Sequence, residues 1–229
     1  MPPSSPSVVP VQPRRLTQRG EERRLQILTR SAELFATQGY HPTSVADIVR
    51  ECNVGKGVFY WYFESKEELF AEIIRANQLA LRKHQARSLL NERDPLGRIE
   101  AGIHATMHWF AANRHVFALF QFASAETLFA HLINDGAEVG IADTMRHVKD
   151  GIACGQIHDG DPLLITTAII GVINALSRRF LASPDSDVAP ETVAAEATTF
   201  ILSGLSGSRP VPRSLRPESV PSSVVQGST

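Results

Sequence analysis

Apolar residues recur along most of the chain at the three- and four-residue spacing of an α-helix, and no stretch shows the strict alternation of a β-strand. The first such segment runs from about Arg19 to Gln38, and Gly39 marks its end. Its expected core stripe consists of Leu25, Leu28, Ala32 and Phe35. The pattern predicts an all-α chain that begins with an amphipathic helix.

The next stretch, TSVADIVRECNVGKGVFYWYFESK, indicates two short helices joined by a tight turn. Ser44 is placed to cap the first helix, with Asp47 in the acidic position of a capping box. One apolar face of that helix is formed by Val45, Ile48 and Val49. The second helix is expected to begin at Gly55 or Lys56. Two short helices with a turn of three to four residues make a helix-turn-helix, whose second helix can enter the major groove of DNA.

The second helix carries side chains that suit a nucleic acid. Lys56 lies at its exposed start, and Gly57 allows a close approach to the groove floor. Side chains near the helix start are expected to reach base edges, whereas tyrosine hydroxyl groups and a following lysine suit phosphate oxygens. The predicted DNA-contacting residues are Ser44, Lys56, Gly57, Val58, Tyr60, Trp61, Tyr62 and Lys66.

An alternative interpretation is that the aromatic residues of this segment are ordinary core residues. We accept that interpretation for Phe59 and Phe63. Tyr60, Trp61 and Tyr62 are consecutive, so on a helix they cannot all face one core. At least one of them is expected to be exposed, where it needs a partner.

The rest of the chain is also predicted to be helical. Ser65 is expected to cap a helix that extends to about Leu90. Further helices are predicted at about Leu96–Ala112, His115–Ala123, Ser124–Asn134, Glu138–Cys154, Leu163–Leu181 and Pro190–Leu205. Gly155 closes the fourth of these six, and Asp161 with Pro162 opens the fifth. The expected organisation is a DNA-binding domain at 18–66 and a helical domain at 67–205, between disordered tails at 1–17 and 206–229.

Composition and charge favour a cytoplasmic protein with a basic front. The 229 residues are 43% hydrophobic with a net charge of -1. That balance hides an asymmetry, because residues 1–93 carry 14 Lys/Arg and 10 Asp/Glu, whereas residues 130–196 carry 4 and 10. No apolar run is expected to reach membrane-spanning length, and the N-terminus lacks the apolar core of a signal peptide. Cys52 and Cys154, without CxxC spacing, are best interpreted as reduced thiols.

The run TSVADIVRECNVGKGVFYWYFESKEELF, with its lead-in RLQILTRSAELFATQGYHPTS, resembles the DNA-binding domain of the tetracycline-repressor (TetR) family. The resemblance covers about Arg19 to Phe70, where spacing and residue type agree over three consecutive helices. Gly55 stands where the family usually has Ser or Thr, so a capping hydroxyl group is missing. Asn53 stands where glycine is common, and it is the best non-glycine candidate for a left-handed residue.

The resemblance implies a three-helix head followed by a larger ligand-binding and dimerisation domain. It also implies a homodimer in which the helices at 163–181 and 190–205 pair with their copies. Small residues that would permit this approach are Gly171, Ala175, Ala194, Ala195 and Ala197. The expected function is a transcriptional repressor that binds a palindromic double-stranded DNA operator and is released by a small, mostly apolar organic effector.

Aromatic residues in the rear domain suggest where such an effector would bind. The candidate ligand-binding residues are His104, Met107, His108, Phe110, Phe117, Phe120, Ile170 and Asn174, with a buried Asn174 amide in need of a partner. Plain core packing is the alternative for most of them. His104 and His108 have the i, i+4 spacing of a metal pair, but two ligands are too few, so no metal or cofactor is predicted.

The sequence gives little support to an enzyme. GxSxG, Walker A and GxGxxG motifs are absent, and no paired carboxylates are placed for acid–base catalysis. We therefore expect no enzymatic activity. An all-helical enzyme and a DNA-binding dimer without a ligand remain the alternatives.

Overall fold

The computed structural model describes residues 17–182 and 186–207, and it confirms the all-α prediction within those ranges. The nine helices described are α1 (Gln18–Gln38), α2 (Val45–Glu51), α3 (Lys56–Tyr62), α4 (Lys66–Ser88), α5 (Pro95–Ala112), α6 (Arg114–Ala125), α7 (Ala130–Ala153), α8 (Pro162–Leu176) and α9 (Pro190–Ser206). A π-helical turn, Ser177–Leu181, extends α8. The predicted tails lie almost entirely outside the described residues.

Local signals in the sequence fix five of the nine described helix starts and several of the ends. Side chains that accept a hydrogen bond from a first-turn amide cap five of the helices: Thr17, Ser44, Ser65, Asp94 and Asp161. Asn53 has φ = 51° and Gly155 has φ = 77°, so both adopt the predicted left-handed conformation after a helix. The left-handed Asn53 lies in the turn that joins α2 to α3.

Two hydrophobic cores hold the helices together. The first, here called the head core, contains the buried apolar residues of α1–α4 together with Leu119, Ala123, Phe129 and Leu132 from α6 and the start of α7. The second, the rear core, lies among α5–α9 and includes Ile103, Met107, Phe110, Phe117, Ile173 and Ile201. Phe120 of α6 packs against both cores. The head core therefore continues into the rear helices rather than ending at α4.

The stripe expected on α1 is partly wrong. Leu25 is 62% exposed, whereas Ile27 is fully buried and Ser31 lies with it in the buried stripe. Ser31 is polar but lies in the middle of the inward face of α1. In the sequence, the neighbouring row of residues that contains Leu25 therefore looks more apolar than the row that is buried. Ala32 and Phe35 are buried as expected.

The break expected between residues 134 and 138 is also wrong, since α7 runs without interruption from Ala130 to Ala153. The chain instead breaks after α6, at residues 126–129. Gly136 lies inside α7 directly against the side chain of Gln78 on α4, where a Cβ atom would collide. Gln78 Nε2 donates to the Leu132 carbonyl at 2.8 Å. The glycine therefore serves close packing of two helices and does not end one.

One helical segment of the described residues, Pro162–Leu181, is long and apolar enough to cross a membrane, contrary to the expectation that no apolar run reaches that length. The bent pair α6 and α7 passes the same test only if it is taken as one broken span. Length and composition alone are weak evidence for a membrane span, because core helices of soluble proteins pass the same test. Arg178 and Arg179 lie in the last turn of the segment.

The shared head core predicts that a rear residue stabilises the head. Leu119→Ala removes a side chain that is 2% exposed and belongs to the head core, so we expect it to lower the free energy of unfolding by ~2–5 kcal/mol. Denaturant unfolding gives the size of this loss, and native-state hydrogen exchange should show faster exchange in α1. Leu128→Ala is the matched control, because Leu128 is 58% exposed, and it should change stability little. Equal effects of the two substitutions would contradict a core that is shared between α6 and the head.

Candidate nucleic-acid interface

A reciprocal capping box fixes the first turn of α2. The Ser44 amide donates to Asp47 Oδ2 at 3.0 Å, and the Asp47 amide donates to Ser44 Oγ at 3.2 Å. Hydrogen bonds from the Ser44 side chain and amide, and then from Arg50, lower the pKa of Asp47 from 3.8 to about 2. Because the folded-state pKa lies below the unfolded-state one, this stabilisation is present above about pH 4 and is lost as the pH falls towards 2.

The capping box changes the role expected for Ser44. Its hydroxyl group donates to Asp47 Oδ2 at 2.5 Å, which uses the only proton that the group can offer. A phosphate oxygen only accepts hydrogen bonds, so Ser44 cannot donate to one while this bond is made. The structure therefore places Ser44 as the cap of α2 rather than as a free phosphate donor.

The turn between α2 and α3 is closed by backbone hydrogen bonds. The Val54 amide donates to the Val49 carbonyl at 2.9 Å, and the Val54 side chain packs against the head core. Gly55 occupies the N-cap of α3 and provides no side-chain cap, as the sequence indicated. The position of α3 thus depends on packing more than on capping.

Helix α3 has a buried side and an exposed side. Phe59 and Phe63 are 0% and 1% exposed, which confirms their assignment to the core. Tyr60 and Trp61 are 56% and 52% exposed, so at least one aromatic residue of the run is solvent-facing, as expected. The outer surface of α3 also carries Lys56, Gly57 and Val58, whereas Tyr62 is half-buried. The side chains predicted to read base edges are therefore presented together on one helix.

A shallow open hollow lies on this outer surface. It has a volume of about 400 Å³ and is lined by Gly57, Val58, Trp61 and Tyr62. The Trp61 and Tyr62 rings meet edge to face at 4.5 Å between centroids, which fixes their relative orientation. Nothing lies within 4 Å of the position that a Cβ atom of Gly57 would occupy.

Lys66 differs from its predicted role as a phosphate ligand. Its Nζ donates to the Tyr40 carbonyl at 3.0 Å and to the Thr43 carbonyl at 2.9 Å. The same ammonium group lies 4.2 Å from the centroid of the Tyr40 ring. An ammonium group has three donors, so only one is left for another partner. In this structure Lys66 ties the start of α4 to the turn between α1 and α2.

Tyr40 is the central residue of that junction, and it is not among the residues predicted from the sequence. Its ring contacts those of Phe35, Phe70, Phe122 and Phe129 at centroid distances of 4.9–5.4 Å. Its hydroxyl group donates to Glu67 Oε1 at 3.0 Å. Burial, followed by the hydrogen bond to Glu67 and the charge of that group, raises the pKa of Tyr40 well above its usual range. The only signal in the sequence was the glycine–aromatic pair that ends α1.

A polar contact lies beside this aromatic cluster. His41 Nε2 is 2.9 Å from Glu126 Oε1, and the His41 ring meets Phe122 edge to face at 5.5 Å. His41 belongs to the turn before α2, and Glu126 follows α6. The contact joins the helix-turn-helix to the segment between α6 and α7.

The rear candidates are only partly brought together. Met107, Phe110 and Phe117 lie in the rear core, and Phe120 lies between the two cores. His104 is half-buried, with Nε2 3.3 Å from Thr198 Oγ, and Ile170 is also half-buried. His108 is exposed, although its ring lies over that of His104 with 6.1 Å between centroids.

The prediction of a buried Asn174 amide is wrong. Asn174 is exposed on the outer side of α8, away from the rear core. Helix α8 is apolar on most of its circumference, so the sequence pattern did not show which side faces inward. The described residues contain no group of three or more His, Cys, Asp or Glu that could hold a metal ion.

Comparison with known proteins agrees with this geometry. Residues 27–73 match the family described as "Bacterial regulatory proteins, tetR family". The chain is 27% identical over 195 residues to the uncharacterised HTH-type transcriptional regulator YdgC of Bacillus subtilis, which covers 82% of this chain and 94% of that protein.

Solved structures share the fold over most of this chain. A Clostridium perfringens protein provisionally described as a fatty acid metabolism regulator is 26% identical, with a TM-score of 0.69 over 79% of this chain and 98% of that one. The TetR family transcriptional regulator PfmR of Thermus thermophilus is 25% identical, with a TM-score of 0.66 over 78% of this chain and 98% of that one.

The exposed reading helix, the capped helix before it and the helical rear domain define a DNA-binding transcriptional regulator of the helix-turn-helix class. Within that class, the chain belongs to the TetR family. The family is a non-enzymatic one, in agreement with the absence of catalytic motifs from the sequence.

The two lysines of the head should respond differently to substitution. Lys56→Ala should reduce the salt dependence of DNA binding by about one unit of slope if Lys56 meets DNA, because one released counterion is lost. Lys66→Ala should weaken binding to all sequences and lower the melting temperature, with little change in slope, because two of its three donors hold the α1–α2 turn. Fluorescence anisotropy over a range of salt concentrations measures both slopes. A full unit of slope lost in Lys66→Ala, with an unchanged melting temperature, would restore Lys66 as a phosphate ligand.

Proposed function

We propose that the protein is a cytoplasmic, homodimeric repressor that binds a palindromic operator with α3 and leaves it when a mostly apolar organic molecule binds in the rear domain. The observation that carries the proposal is the presence of two separate exposed surfaces, formed by opposite ends of the sequence. One is the reading surface of α3, and the other is an uncovered apolar surface on α8 and α9.

The surface on α8 and α9 supports a dimer. Leu164 and Phe200 are each 70% exposed, and Leu163 is 51% exposed. Large apolar side chains that are this exposed on two contacting helices favour association with another apolar surface. Gly171 and Ala175 of α8 and Ala195 of α9 are exposed on the same two helices, and their small size would allow close approach of a second pair of helices.

Two of the small residues expected at this surface lie elsewhere. Ala194 and Ala197 are 0% exposed and pack inside the protomer, in the rear core. A charge at Ala197 would therefore disrupt the fold of one chain before it could disrupt a dimer. The dimer surface that we propose uses the outer residues of α9, with Phe200 as its most exposed aromatic residue.

A symmetric dimer presents two copies of α3, which explains why we propose a palindromic operator. Two identical recognition helices related by a two-fold axis meet equivalent base edges only on a site with matching symmetry. Each half-site would be read by Lys56, Val58, Tyr60 and Trp61, the exposed side chains of α3.

The effector site is proposed in the rear core, near polar pairs that bridge helices. Gln85 Nε2 donates to Thr106 Oγ at 2.8 Å between α4 and α5, and His104 meets Thr198 between α5 and α9. His104 and Thr106 lie close in sequence to Met107, a flexible side chain that is 0% exposed and can move aside for a ligand. An apolar molecule with one polar end would exchange bonds with such a pair.

The chemical class of the effector is suggested by a relative. The Clostridium perfringens structure provisionally described as a fatty acid metabolism regulator shares 26% identity and the fold over most of this chain. Acyl compounds are therefore the first class to test. Binding would alter the rear core, and Phe120 would transmit the change because it packs against both cores. The effector must favour the released state by ~1–3 kcal/mol to act in this way.

A second candidate is a DNA-binding dimer without an effector. The observation in its favour is that Met107, Phe110 and Phe117 are tightly buried in the rear core. This candidate and the effector-controlled repressor share α3 and the dimer surface. They differ only in whether any compound changes operator binding.

The dimer proposal is tested at Phe200. Phe200→Glu introduces a charge into the proposed interface while the side chain is outside the protomer core, so we expect folded monomers with at least ~100-fold weaker operator binding. Light scattering at micromolar concentration measures the mass. Leu90→Glu is the matched control, because Leu90 is 78% exposed but lies in the loop after α4, and it should remain dimeric. A monomeric wild-type protein would defeat the proposal.

The effector proposal is tested by release of operator DNA with a panel of acyl and other apolar compounds. One class should weaken operator binding by ~5–150-fold, the range of a typical coupling free energy. Phe120→Ala should reduce this response while leaving operator affinity without effector unchanged, because Phe120 lies between the cores and away from α3. If no compound binds the protein or releases it from operator DNA, the effector-free dimer is favoured.

A further inference from the structure

A shallow apolar hollow lies on the surface of α3 that we propose meets DNA. Its walls are the side chains of Val58 and Trp61, which are 40% and 52% exposed, and Tyr62 closes one side. Gly57 leaves the space beside the helix open, because no side chain occupies it. A helix that bound only phosphates would have no use for an apolar recess beside its first turn.

The chemistry of the major groove limits what can enter such a recess. Base pairs present hydrogen-bond donors and acceptors there, and the only apolar group among them is the 5-methyl group of thymine. Phosphates and base acceptors would lose hydration in the hollow without gaining a hydrogen bond from Val58 or the face of Trp61. A thymine methyl group has no polar atom that would lose hydration. Its burial removes three apolar surfaces from water together: the methyl group itself and the side chains of Val58 and Trp61.

We infer that this hollow binds the 5-methyl group of one thymine in each operator half-site, so that the protein selects thymine over other bases at that position. The inference rests on the proposed function, in which α3 enters the major groove. Val58 and Trp61 contact the methyl group from two sides, and the missing side chain of Gly57 lets the base edge approach the helix. Lys56, one residue earlier in the chain, supplies a polar contact to a neighbouring base.

The test removes the methyl group from the DNA and leaves the protein intact. An operator is first selected from random duplexes with the full-length protein. Each thymine of a half-site, together with its symmetry mate, is then replaced by deoxyuridine, which keeps base pairing and lacks only the methyl group. A buried methyl group is worth about a fourfold change in affinity. We expect one symmetric pair of replacements to weaken binding about 15-fold and the other replacements to have little effect.

Protein variants connect that thymine to the hollow. Val58→Ala removes part of one wall, so the thymine-to-uracil affinity ratio should fall below about fivefold. Val58→Ile keeps the wall and should preserve the ratio. Tyr60→Phe is the control on the same helix, because Tyr60 does not line the hollow; it should weaken both operators equally and leave the ratio unchanged.

The outcomes separate this inference from the proposed function. If selection returns no specific operator, the proposed function fails. If a specific operator is bound tightly but lacks a conserved thymine, or if no deoxyuridine replacement changes affinity more than twofold, the hollow does not bind a methyl group. If the sensitive thymine responds in the same way in wild type and Val58→Ala, the methyl group is read elsewhere. Operators that carry cytosine or 5-methylcytosine at the sensitive position are also compared. Tighter binding of the 5-methylcytosine operator supports the inference further.

Discussion

The packing of Tyr40 is the interaction on which the head depends. Its ring lies against aromatic residues from α1, α4, α6 and the start of α7, while its hydroxyl group and its carbonyl group are bonded to Glu67 and Lys66 of α4. A single side chain thus joins four helices, and its polar atom is satisfied inside the cluster. Because α3 has no side-chain cap, its position follows from the packing of Phe59 and Phe63 into the same core. The orientation of the reading helix is therefore set by packing in the head core, to which Tyr40 also belongs.

The same cluster connects the head to the rest of the chain. Helix α6 contributes Leu119 and Ala123 to the head core, and Phe120, between them, also touches the rear core. The contact between His41 and Glu126 adds a polar connection at the same place. A change in the packing of the rear helices can therefore reach the head by two routes, along α4 and across α6. The boundary expected from the sequence between residues 66 and 67 marks the start of α4, but the packing continues across it.

Short-range features of the head could be predicted from the sequence, and long-range ones could not. The capping box of Ser44 and Asp47 and the left-handed Asn53 depend on residues within a few positions of one another. The partners of Lys66 are 26 and 23 residues away in sequence, so its charge indicated a phosphate contact although its ammonium group faces protein carbonyls. Asn174 was misplaced for a different reason: α8 is apolar nearly all round, so its rotation about its own axis is decided by its neighbours. Gly136 carries no local sign that α7 continues through it, because a glycine that admits Gln78 looks the same in sequence as one that ends a helix.

The division of α3 into two sides has a consequence for how such a regulator can change. Phe59 and Phe63 hold the helix from one side, and Lys56, Gly57, Val58, Tyr60 and Trp61 occupy the other with few contacts to the core. Substitutions on the outer side therefore carry little cost in stability, since they remove no buried surface. A lineage, or a designer, can exchange these side chains to move the protein to a new operator while the scaffold stays as it is. The DNA sequence that this helix recognises and the stability of the fold are therefore nearly independent. This makes the helix a practical starting point for a set of regulators that act in one cell without cross-talk.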